Sequence, residues 1–341
     1  MKISICYIQY NRIQYLLKSL EILEQQVYPN IEIVISDDAS TDDTLNQIQI
    51  LKEKYKYPII YERSDVNQGF DRNYRKCIEL ATGEYCIVLG NDDTIVDNYA
   101  VQNLVKFIYD NNFPDIGFIN YFEFITPSMI VERAKETIVL GSGVEVALKY
   151  YNCFSFVGGL IYKKSTFNKF NSDVHDGSIY AQMHLGMTMI IGGSVLFSIK
   201  EPVIGKDIII DKVVPNSYKD NLIRNWTEFK IVDGGLHSVI KVIISALELN
   251  RVGSKNNLYY VFKRMYSRTF PYWIFNYKRN KALPSAVGLV LGLLPTSNSD
   301  FYKLTLLNKS KIFALYFIVS FVSILVPSRM FFLIEKKLYK I

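Results

Sequence analysis

Along the first 120 residues the apolar positions change period again and again. Residues 3–8 (ISICYI), 31–36 (IEIVIS), 58–62 (PIIYE), 85–89 (YCIVL) and 116–120 (IGFIN) are short runs rich in β-branched and aromatic residues, and they predict strands. Between them RIQYLLKSLEILEQQ, TLNQIQILKEKY, FDRNYRKCIELA and YAVQNLVKFIYDN place apolar residues at helical spacing. Strand–helix alternation with short connections predicts βαβ units, hence an α/β fold with a mainly parallel sheet flanked by helices. In such sheets ligands bind beyond the carboxyl ends of the strands. Residues 121–200 are less regular. GGLIYKKSTFNKF predicts a strand and a helix, GSIYAQMHLGMTMIIGG an apolar helix ending at Gly192 and Gly193, and SVLFSIKEP a late strand.

The pattern changes after about residue 250. YYVFKRMYSRTFPYWIFNYKRNK mixes Lys and Arg with Trp273, Tyr and Phe, and is followed by AVGLVLGLLP and IFALYFIVSFVSILVP. The last run falls short of the roughly 20 apolar residues that cross a bilayer upright, so shallow, interfacial or re-entrant insertion fits it better. A buried helical subdomain or a dimer face is the alternative. The expected organisation is a nucleotide-binding and catalytic domain over 1–205, a linking helical segment over 206–258, and a membrane-associating helical region over 259–341.

Charge sharpens this division. The 341-residue chain has a net charge of +6, but residues 251–341 hold 15 Lys and Arg against 2 Asp and Glu, so that segment is +13 and the rest −7. Such asymmetry points to an anionic partner for the C-terminal part. Interleaved aromatics and the apolar runs favour an anionic inner leaflet over nucleic acid. The four cysteines show no CxxC spacing, and Cys6 and Cys86 sit inside apolar runs, as buried free thiols do in a reducing compartment. The N-terminal MKISICYIQYNR turns polar after eight residues, unlike a signal peptide, and a cytoplasmic location is expected.

The candidate chemistry lies at two strand ends. VISDDAST finishes in Asp37 and Asp38, and YCIVLGNDDT in Asp92 and Asp93. One such pair is explained by helix capping. Two pairs at the same edge of a parallel sheet are harder to explain that way, because adjacent carboxylates repel unless a cation or a donor-rich ligand compensates.

Taken in order, ISICYIQYNR, VISDDAST and GEYCIVLGNDD resemble the family 2 glycosyltransferases of GT-A fold, over roughly residues 1–200. The resemblance implies a nucleotide-sugar donor, with Asp37 and Asp38 reading the base and Tyr10 lying against base or ribose. It implies Asp93 as metal ligand and Asp92 as ribose contact, with Mg²⁺ or Mn²⁺ between carboxylate and diphosphate because both are hard, oxygen-seeking cations. Arg72, in NQGFDRNYRKCIELATGEY, is a candidate to balance diphosphate charge, a solvated helix face being the alternative. Ile8 and Gln9 stand where the family usually has Pro and Thr, and Asn91 where one subgroup has a third Asp. For the catalytic base that inverting members use, SDVHDGSIYAQMH offers Asp176 first and His184 second, with capping the alternative for Asp176. The subgroup resembled is the O-antigen and surface-polysaccharide transferases of abequosyltransferase type. It implies a polyprenyl-diphosphate-linked saccharide acceptor at the cytoplasmic face of the bacterial inner membrane. A teichoic-acid or capsule hexosyltransferase is the alternative within the class. A nucleotidyltransferase fits less well, since YIQYNRIQY is not a Gly-rich phosphate loop.

Overall fold

The structure is a computed structural model that describes residues 1–211, 236–279, 282–327 and 330. The chain forms two compact units, Met1–Pro215 and Asn216–Ile341. Their boundary falls inside the 206–258 segment expected to link the domains. Residues 212–235 of that segment, and 331–341 of the expected membrane region, lie outside the described residues.

In the first unit the predicted alternation is realised as β1 (Ile3–Gln9), α1 (Ile13–Leu23), β2 (Ile31–Asp37), α2 (Thr44–Lys52), β3 (Ile59–Arg63), α3 (Phe70–Leu80), β4 (Tyr85–Gly90), β5 (Thr94–Ile95), α4 (Ala100–Asp110) and β6 (Ile116–Glu123). There follow β7 (Thr126–Val131), β8 (Ile138–Gly141), α5 (Val144–Tyr150), β9 (Leu160–Lys163), α6 (Lys164–Phe170), α7 (Ala181–Ile191) and β10 (Leu196–Lys206). The sheet runs β3-β2-β1-β4-β9-β6-β10-β5, with β7 added to β6 and β8 to β10. β3, β2, β1 and β4 are mutually parallel, while β9 enters antiparallel between β4 and β6. Every residue of β1 and β2 is buried, as helices on both faces of a parallel sheet require. Ile3, Ile5 and Tyr7 of β1 join Leu16 and Leu20 of α1, Ile33, Ile87, Leu89 and Leu104 in one core.

Register carries the acidic residues to one edge. Gln9 pairs with Asp37 and Ile8 with Gly90, so β1, β2 and β4 end at one level. The late strand is longer than its sequence predicts. Pro202 would ordinarily stop a strand. In β10 a register shift between Ile199 and Ile204 takes up the proline, and pairing with β6 resumes as far as Lys206.

The second unit is helical: Leu236–Leu249, Lys255–Arg264, Phe270–Arg279, Leu283–Gly292 and Leu306–Leu325. A π-helical turn, Met265–Thr269, precedes Pro271, whose missing N–H and ring disturb the regular ladder. The last helix starts before the apolar run because Thr305 caps it, accepting from the Asn308 N–H at 3.2 Å. At 20 residues it is long and apolar enough to cross a membrane by length and composition, unlike the shorter run read from sequence.

Candidate active site

β4 ends at Gly90 and the chain turns at once through Asn91, Asp92 and Asp93. The turn is tight against its own carboxylates. A Cβ on Gly90 would lie 2.9 Å from Asp93 Oδ2, and one on Gly158 would lie 2.8 Å from the same oxygen. Glycine at both positions lets backbone close around Asp93, which accepts from the Gly90 N–H at 3.2 Å. Beyond the proline bulge, β10 delivers a third carboxylate. Asp207 sits at φ 57, a conformation few non-glycine residues adopt, and its N–H donates to Asp93 Oδ1 at 3.4 Å. The next N–H, of Ile208, donates to the Asp92 carbonyl at 2.8 Å.

Asp92, Asp93 and Asp207 are all buried, and each offers an oxygen within 4.8 Å of the others. Burial, then Asp207, raises the Asp92 carboxyl above its ordinary range, with Arg12 opposing. Burial, then Asp92 and Asp207, pushes Asp93 well above it. Three converging carboxylates of this kind form an oxygen-donor set that fits a hard divalent cation such as Mg²⁺ or Mn²⁺. Two side-chain cations border them: Arg12 Nη1 lies 3.0 Å from Asp92, and the buried Lys206 Nζ lies 2.6 Å from Asp207 and 3.3 Å from Glu123.

The other strand ends are held by hydrogen bonds. Asp37 is fully buried; it accepts from the Ser40 N–H at 2.9 Å and from the Tyr61 hydroxyl at 2.7 Å, with Arg63 Nε 3.7 Å away. Asp38 accepts from the Gln68 N–H at 2.7 Å and the Gly69 N–H at 2.9 Å, tying β2 to the start of α3. Tyr10 is 47 % exposed at the rim. Asn11 and Arg12 both have positive φ, and the turn they form is clamped by two amides. Asn91 Nδ2 donates to Gln9 Oε1 at 3.0 Å and to the carbonyls of Asn11 at 3.1 Å and Tyr10 at 3.3 Å. Gln9 Nε2 donates to the Asn11 carbonyl at 2.7 Å and to Thr44 Oγ1 at 2.9 Å. Two of the three departures from the family pattern, Gln9 and Asn91, are thus partners.

The remaining predicted residues lie on α3, α7 and the loop before α7. Arg72 pairs with Glu79 at 2.8 Å along α3. Asp176 is gripped by both Nε and Nη2 of Arg75. Asp71 of α3 accepts from the N–H groups of Ile179 at 2.7 Å and Ala181 at 3.2 Å, so it, rather than Asp176, satisfies the start of α7. His184 is buried with its ring 4.3 Å from that of His175, and its Nε2 has no hydrogen-bond partner among the described residues. Burial, then His175, lowers it to about 4, so the imidazole is neutral at pH 7.

Sequence reasoning missed three residues. Asp207 and Lys206 lie beyond a proline expected to end the strand. Arg133, from an irregular stretch, is buried and donates to the carbonyls of Ile119, Cys153, Phe156 and Gly158, building the wall behind Asp93. A cavity of about 320 Å³ lined by Leu104, Phe107, Thr137 and Glu201 contains none of the site residues.

A mixed, mostly parallel sheet with acidic strand ends of this kind is the GT-A fold. TarS of S. aureus, residues 1–349 in complex with UDP, shares it with a TM-score of 0.61 at 17 % identity, over 94 % of this chain and 91 % of that one. The model of glycosyl transferase family 2 matches residues 4–169, and that part of the chain belongs to the family. Over 104 residues, 30 % of this chain and 31 % of the relative, it is 44 % identical to the abequosyltransferase of Salmonella typhimurium. Over 108 residues, 31 % of this chain and 34 % of the relative, it is 30 % identical to the GalNAc(5)-diNAcBac-PP-undecaprenol beta-1,3-glucosyltransferase of Campylobacter jejuni. The chain spans about a third or less of the length of the first curated relatives it matches.

Proposed function

We propose that the protein is a divalent-cation-dependent glycosyltransferase acting in O-antigen or other surface-polysaccharide synthesis. It moves a sugar from a nucleotide-sugar to a polyprenyl-diphosphate-linked saccharide at the cytoplasmic face of a bacterial inner membrane. The observation that carries the proposal is the convergence of Asp92, Asp93 and Asp207 at the edge where β1, β2 and β4 end. The undecaprenol-linked substrate of the Campylobacter jejuni relative supports a lipid-linked acceptor, and the stretch of 44 % identity to the abequosyltransferase favours a dideoxyhexose donor such as abequose.

Asp92, Asp93 and Asp207 would hold the cation, which supplies Lewis-acid stabilisation to the departing diphosphate. Arg12 and Lys206 add positive charge at the same edge. Arg12 is set to exchange Asp92 for a phosphate oxygen, since a guanidinium suits either partner. Tyr10 offers an exposed ring to the base or ribose, and Asp37 and Asp38 hold the β2 end that carries the base-reading surface. Asp176 accepts the proton of the acceptor hydroxyl as that oxygen bonds the anomeric carbon and the bond to diphosphate breaks. Its pairing with Nε and Nη2 of Arg75 fixes the orientation of the carboxylate for that task. His184 is the second choice, since burial leaves its neutral ring a weak base. One displacement of this kind inverts the anomeric centre.

Calorimetry with CDP-, UDP-, GDP- and dTDP-sugars in Mn²⁺ tests the proposal. One donor series should bind to the parent and lose at least tenfold in affinity with Asp93→Ala. Binding by none of them, or binding indifferent to Asp93, overturns it.

A further inference from the structure

The helix Leu306–Leu325 is inside out. The residues it buries, Ile312, Tyr316, Ser320 and Ser323, recur every three or four positions and include two serines. The face it exposes carries Phe317 (59 % exposed), Ile318, Phe321 (67 %), Val322 and Leu325. Water-facing helices have the opposite arrangement. The neighbouring helix Leu283–Gly292 repeats the pattern, with Leu283, Val287 and Leu291 exposed and Ala286 and Leu289 buried. The two helices are joined by the Tyr316 hydroxyl, which donates to the Val290 carbonyl at 2.6 Å. An exposed apolar surface of this extent calls for an apolar covering.

We propose that this surface lies in the acyl-chain boundary of an anionic bilayer, with the helix Leu306–Leu325 parallel to the membrane plane and not across it. Charge identifies the covering as lipid. The segment after residue 250 carries a net +13, and Lys309 and Lys311 stand at the start of the same helix. Tyr260, Tyr272 and Tyr302 are exposed in this unit, amphipathic rings of the kind enriched at the headgroup level. Crossing is disfavoured by what the helix is fastened to. Its buried stripe packs against the π turn and the helix Phe270–Arg279 through the Tyr266–Tyr316 and Phe270–Tyr316 rings, 5.8 Å apart in each case. The π turn exposes Arg268 and the helix leading into it, Lys255–Arg264, exposes Lys263, and crossing would drag both into hydrocarbon. The far end of the helix is suited to a dry setting. Lys278 Nζ donates to the carbonyls of Ser323 at 2.7 Å, Ile324 at 2.8 Å and Val326, which no N–H of the helix itself satisfies. The inference deepens the proposed membrane location of the enzyme and names the face that meets the lipid.

Flotation of the full chain with sealed vesicles of phosphatidylethanolamine and phosphatidylglycerol tests it, against phosphatidylcholine vesicles. The parent should float with the anionic vesicles. Phe317→Ser combined with Phe321→Ser should reduce partition at least tenfold while nucleotide binding is unchanged, which shows the first unit intact. A maleimide unable to cross membranes, added outside, supplies the orientation. Leu325→Cys should be shielded while intact vesicles are present and labelled once detergent dissolves the membrane; the four native cysteines are buried. Undiminished flotation of the double variant overturns the proposal. So does labelling of Leu325→Cys by reagent trapped inside the vesicles, which shows crossing, or a parent dimer that the double variant splits in the absence of any flotation. Flotation as stated, with no donor sugar bound in calorimetry, leaves this surface standing and removes the transferase function instead.

Discussion

Replacing Asn91 by aspartate separates two opposed roles for that position. If position 91 is a ligand site, Asn91→Asp adds a carboxylate to the cluster and tightens cation binding. The hydrogen bonds say the reverse. Asn91 Nδ2 faces three acceptors, Gln9 Oε1, the Tyr10 carbonyl and the Asn11 carbonyl. A carboxylate there donates to none of them and sets a charge beside Asp92 in a buried setting. Orphaning the buried Gln9 Oε1 costs about 1–3 kcal/mol, and the two partly solvated carbonyls add less. With the extra buried charge the total is about 2–4 kcal/mol. Rotating the Gln9 amide recovers nothing, because its Nε2 already serves Asn11 and Thr44. Urea unfolding with an unchanged slope should show the loss as a lower midpoint. Asn91→Ala, which removes the donor without adding charge, should lose about 1–2 kcal/mol. Nucleotide affinity should fall in both, since the clamp sets the turn bearing Tyr10 and Arg12. An Asn91→Asp protein as stable as the parent that binds Mn²⁺ more tightly would refute the clamp and restore position 91 to the ligand set.

Mn²⁺ should raise the melting temperature of the parent, and Asp93→Ala and Asp207→Asn should each abolish most of that increase while remaining folded; an undiminished increase in Asp207→Asn removes it from the cation site. Asp37→Ala leaves the half-buried Tyr61 hydroxyl and the buried Ser40 N–H without their acceptor, so about 1–3 kcal/mol of stability should go together with nucleotide affinity, read by urea unfolding and calorimetry. His184 is lowered in the folded state to about 4 from 6.5, so the unfolded chain binds the extra proton between those values. Its contribution is full above pH 6.5 and is lost as pH falls through that window, about 2 kcal/mol by pH 5. His184→Gln should flatten the pH dependence between 7 and 5, and an equally steep loss in that variant assigns the titration elsewhere.

Local periodicity determined much of this protein. Alternation of apolar runs with helical spacing is set by neighbours within one element, so the strands at 31–37 and 85–90, and the Asp pairs that end them, could be read without any tertiary information. What converges on those pairs could not. Asp207 arrives 114 residues after Asp93 because a bulge absorbs Pro202 and β10 resumes its pairing with β6, an outcome of sheet register that the proline itself argues against. The meaning of Asn91 likewise depends on Gln9, 82 residues away, and the orientation of Asp176 on Arg75, 101 residues away. In the C-terminal helix the sequence specified apolar character, but only packing decided which side faces outward. Its serines are turned in because Tyr316, one turn before Ser320 on the same face, is held by the aromatic layer beneath. Residue type and spacing act along the chain, whereas a site is made by long-range pairing, which only the folded sheet and packed helices specify.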